Sequence, residues 1–118
     1  MRATAFVSGP YSPLPYIKSD VVDNISTATD CAIWLWEHDF SVICPHLNTK
    51  FFDNLTDQPK EAFLDFYLSI IRSGVVDLIV LLPNWQSSEG TSAEFQLARR
   101  LYIPTYTWEP DCLSLTRK

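Results

Sequence analysis

The hydrophobic pattern alternates between two periods along the chain. The apolar run Leu78-Ile79-Val80-Leu81-Leu82 predicts a buried parallel strand, because a strand covered on both faces has no polar alternation. Residues 3–8 predict a first strand. A helix is predicted from Ser19 or Asp20 to about His38, with Val21/Val22, Ile25, Ala28, Ala32 and Trp36 on its apolar stripe. Residues 41–44 predict a short second strand, stopped by Pro45. A second helix is predicted over about 59–73, with Phe63, Phe66, Tyr67, Ile70 and Ile71 inward. The third strand covers 77–82, a third helix about 88–101, and a fourth strand 104–108, followed by a polar tail. Strands alternating with helices imply an α/β fold with right-handed crossovers: a small, doubly wound parallel sheet of about four strands, in the order 2-1-3-4. The switch point then lies between strands one and three.

Two loops converge on that point. Residues 8–15 hold three prolines, which preclude regular structure. Residues 83–90 follow the buried strand, where Pro83 ends pairing and Gly90 lets backbone approach a ligand. Glu94 comes next, in the first turn of the predicted helix. Leu97, Ala98 and Leu101 lie three, four and seven residues later, so Glu94 heads the buried stripe at the carboxyl end of a strand. The same residues, Thr91-Ser92-Ala93-Glu94, also fit a capping box, and the two roles are compatible. A long polar loop over 46–59 carries His46, Asn48, Thr49, Asp53, Asn54 and Asp57; loops of this length are often functional.

Composition narrows the field. The 118 residues suit one domain spanning 1–118, with 47% apolar and 19% charged residues making a compact core plausible on size alone. No apolar run approaches a membrane span and no signal peptide is evident, so a cytoplasmic protein without a membrane partner is expected. Cys31, Cys44 and Cys112 are odd in number and lack metal-ligand spacing, which reads as reduced thiols. The net charge of −5 argues against a nucleic-acid polymer as partner. A small anion stays open, because helix N-terminal N–H groups hold phosphate without cationic side chains. There is no G-x-G-x-x-G, Walker loop or His/Cys metal cluster, and no cofactor or metal is expected.

The two loops together resemble the nucleoside 2-deoxyribosyltransferase-like family and its small relatives. The matching pieces are Phe6-Val7-Ser8-Gly9-Pro10-Tyr11 after strand one, Leu82-Pro83-Asn84-Trp85 after strand three, and the series Ser88, Gly90, Glu94, Ala98. Pro45 to Thr49, P-H-L-N-T, is similar to those relatives as well. The resemblance implies chemistry at an N-glycosidic bond of a nucleoside or nucleoside 5′-monophosphate. Glu94 would be the nucleophile on the anomeric carbon, and a second base or water would take the sugar. Its charge would be favoured by the helix N-terminus. Ser8, Gly9, Pro10, Phe6, Trp85, Ser88, Gly90 and His46 fall at substrate-binding positions. Ser88 matches the 5′-phosphate position of the nucleotide-hydrolase branch, or else serves as a helix cap. Trp85 would stack on a base or wall the pocket; His46 would touch base or phosphate, or stand solvated in its loop.

The chain departs from the family at two positions. Phe6 stands where the family often has a tyrosine assisting the Glu, a role Tyr11 would have to take. Ser69 stands where a sugar-contacting Asp is expected, and Asp65 lies one turn earlier, in register if residues 74–76 carry an insertion. The resemblance also implies a homo-oligomer. The alternatives are a noncatalytic nucleotide-binding domain on the same fold, and, by fold analogy, an NAD-cleaving domain.

Overall fold

The computed structural model describes residues 2–11, 17–50 and 56–118. Among the described residues five strands form one sheet in the order β2-β1-β3-β4-β5. They are β1 (Thr4–Ser8), β2 (Ser41–Ile43), β3 (Leu78–Leu81), β4 (Thr105–Glu109) and β5 (Ser114–Arg117). The first four are parallel, in the predicted order 2-1-3-4. The helices are α1 (Lys18–Glu37), α2 (Pro45–Asn48), α3 (Lys60–Arg72) and α4 (Glu89–Arg100), and a 3-10 turn covers Trp85–Ser87.

Strand alternation sorts the core into two layers. Ala5, Val7, Leu78, Val80 and Leu82 pack with Ala28, Cys31 and Leu35 of α1 and with Trp108 of β4. Phe6, Ile79 and Leu81 pack on the other face with Tyr67 and Ile71 of α3 and Leu97 and Ala98 of α4. The sheet is thus covered on both sides, and β1 and β3, at its centre, are the most apolar strands. Asp77 fixes the entry into β3 by accepting from the Thr4 amide at 2.7 Å.

Three expectations need correction. The tail is not merely polar: residues 114–117 add β5, antiparallel to β4, with Trp108 opposite Leu115 and Tyr106 opposite Arg117. Its one apolar side chain covers Trp108 while the rest faces outward, so four residues carry too weak a period to read. Val22, Trp36, Phe66 and Leu101, placed inward by the helical period, are 44–52% exposed. For Trp36 and Phe66 the reason is β2, which has only three residues and is an edge of the sheet; α1 and α3 overhang it and leave an open apolar groove of about 500 Å³ lined by Trp36, Val42, Leu47 and Phe66. The predicted 46–59 loop also begins with a helical turn, α2, with Pro45 at its first position, where a missing N–H costs nothing.

The cysteines are free. Burial pushes the Cys31 thiol up to about 12, with Cys44 nearby adding to it, and pushes Cys44 up to about 11. Both stay protonated and unreactive at neutral pH. Among the described residues no helix is long and apolar enough to cross a membrane. Ser12 to Pro15 of the first loop, and Asp53 and Asn54 of the 46–59 loop, lie outside the described residues.

Candidate functional site

The site is built where β1 and β3 end side by side. The Leu82 amide donates to the Ser8 carbonyl at 2.8 Å, which carries the pairing one step beyond β3. Gly9 then passes over Leu82 so closely that a Cβ there would sit 2.6–2.9 Å from three Leu82 side-chain atoms. Glycine is required at this crossing because the neighbour is core, not a movable surface chain. After Pro83 the chain turns through Asn84, whose φ of 64° is left-handed, into the 3-10 turn and then α4.

Ser88 caps α4: its Oγ accepts from the Thr91 amide at 3.2 Å. This overturns the capping box at residues 91–94. With Glu89 as first helical residue, Glu94 falls in the second turn, too far along to reach an orphan amide. Its carboxylate is used elsewhere. Oε1 of Glu94 accepts from Oγ of Ser8 at 2.5 Å, across 86 positions of sequence. Ser8 is 1% exposed and Glu94 7%. So a serine at the end of β1 and a glutamate on the inner face of α4 are joined at the switch point.

The electrostatics run against one expectation. The helix N-terminus was to keep Glu94 ionised. Instead, burial pushes the carboxyl up to about 7, and the Ser8 hydrogen bond lowers it only in part. Removing water from a carboxylate outweighs one hydroxyl donor. Glu94 therefore exchanges its proton near neutral pH.

The second constellation is P-H-L-N-T. His46 is 3% exposed, so the solvated-loop reading fails. Its Nε2 lies 2.9 Å from the Pro10 carbonyl, which can only accept, so Nε2 carries the proton and Nδ1 is an acceptor. Nδ1 is buried without a hydrogen-bond partner among the described residues. Burial lowers the His46 pKa, and the Pro10 bond opposes this, so the ring stays neutral. The Tyr11 ring tilts against His46 at 5.7 Å, and Asn24 of α1 donates to the Tyr11 carbonyl at 2.9 Å. Pro10 and Tyr11 are thus held from two sides. Asn48 and Thr49 meet the Tyr67 hydroxyl at 3.0 and 3.2 Å, and the Tyr67 ring packs edge-on to Phe6 at 6.2 Å. The helical period marks Tyr67 only as an inward residue; its hydroxyl carries no sequence signal because its partners lie 18 and 19 positions away.

The remaining candidates separate. Trp85 is half-buried against Phe95 at 4.9 Å, walling the β3 side. Gly90 has room around it: a Cβ would meet only Leu64 at 3.8 Å and Ser88 Oγ at 3.9 Å, so no contact within the described chain requires glycine there. Phe6 is fully buried and has no hydroxyl to offer. Asp65 lies on the exposed side of α3, as does Ser69, whose hydroxyl is turned to the Phe66 carbonyl. No group of three or more His, Cys, Asp or Glu side chains that would hold a metal occurs among the described residues.

A family model described as a domain of unknown function, DUF4406, matches residues 36–107, more than half of the chain. The chain belongs to the DUF4406 family. The DUF4406 region opens in the last turn of α1 and closes in β4, so it takes in P-H-L-N-T, the 83–90 loop and Glu94. Ser8 and the loop through Tyr11 lie N-terminal to the DUF4406 match, although they complete the same site. No curated protein and no solved structure matches the chain.

Proposed function

We propose that the protein binds a nucleoside or nucleoside 5′-monophosphate and cleaves or transfers its N-glycosidic bond, with Glu94 as nucleophile. The observation that carries this reading is the buried Ser8–Glu94 pair at the carboxyl ends of β1 and β3, where open α/β sheets bind ligands. A carboxylate is seldom buried without a cation partner unless it has a chemical task. In the proposed step a Glu94 oxygen bonds to the anomeric carbon as the glycosidic C–N bond breaks, and the base leaves with the electron pair and takes up a proton. Water or a second base then attacks the glycosyl ester and frees the carboxylate. Ser8 orients the carboxylate through Oε1, Trp85 walls the base, and Ser88 and the adjoining amides of α4 receive the 5′-phosphate. Self-association belongs to the same reading and is measured by sedimentation.

The test is incubation of the protein with nucleosides, their monophosphates and NAD, with detection of free base. Base release from one substrate class is expected, rising as pH is raised through about 7, because only the carboxylate attacks. Glu94→Gln is expected to reduce it by several powers of ten with the fold intact. Release that persists in Glu94→Gln would assign the chemistry elsewhere. A second reading, binding without catalysis, is favoured by Phe6, which has no hydroxyl to assist the glutamate, and by the exposed position of Asp65. Saturable nucleotide binding with no release from any substrate would put that reading first.

A further inference from the structure

The open apolar groove at the β2 edge takes no part in the Ser8–Glu94 pair. Its floor is β2, and α1 and α3 wall it from the two faces of the sheet. Trp36, Leu47 and Phe66 stand about half exposed along it. Arg2 lies 5.7 Å from the centre of the Trp36 ring and still leaves it half open. Ile33, one turn before Trp36 on α1, is half exposed as well and extends the patch. Among the described residues no charged side chain lines the groove.

The two edges of the sheet differ. β5 carries the exposed Thr116 and Arg117 and leads into Lys118, so polar and charged side chains guard it against another chain. β2, Ser41-Val42-Ile43, has no charge and no proline, and its outer side pairs with no strand among the described residues. An unguarded edge between half-exposed aromatic side chains has the composition of an interface core. Size and charge choose the occupant. With the partly buried Val42, Ile43 and Ile70, the four exposed side chains leave roughly 500 Å² of apolar surface open. At the apolar content of homodimer contacts, about 65%, that corresponds to roughly 800 Å² on each partner, the area of a stable dimer. Two copies of net charge −5 repel, and a groove with no carboxylate in its lining is where they can meet. A two-fold axis brings the same patch to itself, so the apolar side chains of one copy face those of the other.

We propose that the β2 edge is the contact surface of a symmetric dimer, in which a second copy of this chain covers the groove and Trp36 and Phe66 are the anchors. The inner end of the groove is formed by Asn48 and Tyr67, bonded at 3.0 Å, so the covering copy also closes over α2, the turn whose His46 holds Pro10. This gives the self-association a surface, and it stands on the groove rather than on the role of Glu94.

Sedimentation equilibrium of the full chain over a range of concentrations tests it. A dimer with a dissociation constant of about 1 μM or tighter is expected, unchanged or tighter as salt is raised, because the contact is apolar and the copies are like-charged. The double variant Trp36→Gln/Phe66→Gln should dimerise at least about tenfold more weakly, with its helical circular dichroism intact because both side chains are half exposed. Should that variant lose its helical signal, Leu47→Gln, a single exposed change, gives the same reading. Tyr102→Gln, at an exposed aromatic beyond the end of α4, should leave the dimer unchanged. A chain still monomeric at about 100 μM, a dimer that survives the groove variants, one that weakens as salt is raised, or one lost in Tyr102→Gln would each overturn the proposal; the first would leave the groove to a different partner, and the last would move the contact away from β2. Base release is measured apart from all of these and decides the role of Glu94.

Discussion

Glu94 is where the physical chemistry is least compatible with stability alone. Its carboxyl is raised from an ordinary 4.5 to about 7, so the folded protein binds a proton that the unfolded chain releases. Stability from this group is fully present below about 4.5 and is lost as pH rises through about 7. The loss has a ceiling of about 3 kcal/mol, one pKa unit being worth about 1.4 kcal/mol. Glu94→Gln keeps the shape and an acceptor for Ser8 but never ionises. It should match the parent protein near pH 4.5 and become progressively more stable than it toward pH 8, which denaturant melts at the two pH values would measure. Retaining a destabilising acid where an amide fits is the pattern of a group kept for chemistry. His46 presents the complementary case: a neutral ring whose Nε2 fixes Pro10 while its buried Nδ1 has no partner among the described residues.

At the scale of elements, α4 shows both what local sequence conveys and what it omits. Its length and inner stripe of Leu97 and Ala98 follow from period alone. Its start does not, because two serine/threonine clusters compete as caps and only the path out of β3 selects Ser88. Gly90 lies in the first turn with open space around it. Gly90→Ala should therefore stabilise the fold by about 0.5–1 kcal/mol, since glycine is the costlier helix residue. If a ligand approaches that backbone, the same change should weaken nucleotide binding; thermal melts and titrations on one preparation would read both. β5 makes a prediction of its own. Leu115→Ala should cost about 1 kcal/mol through the lost cover of Trp108, whereas Thr116→Ala, facing outward, should stay within about 0.5 kcal/mol in denaturant melts.

For the whole molecule, the order of the four parallel strands was legible because strand–helix alternation and crossover handedness leave few topologies. The position of Glu94 was legible too, since a helical stripe pointed it at the strand ends. Ser8 as its partner, the burial of His46 and the Tyr67 hydroxyl bridge were not. Each depends on residues from different elements meeting in space, and no local period encodes such a meeting. The exposure of Trp36 and Phe66 was hidden for a related reason: a helix stripe states which side is apolar, not whether the sheet beneath is wide enough to cover it.

The central place of β1 sets a timetable for synthesis. Residues 4–8 leave the ribosome before either of their partners, and β2 gives them one on one edge once residues 41–43 have followed. The other edge belongs to β3, with Ala5 paired to Leu78. At about 5–20 residues per second, that partner is made roughly 4–15 s later. Throughout that interval Phe6 and Val7 stand beside an unpaired strand edge, without the side chains of Ile79 and Val80 that later cover them. The strand that completes the candidate site is thus also an adhesive surface of the nascent chain until β3 arrives.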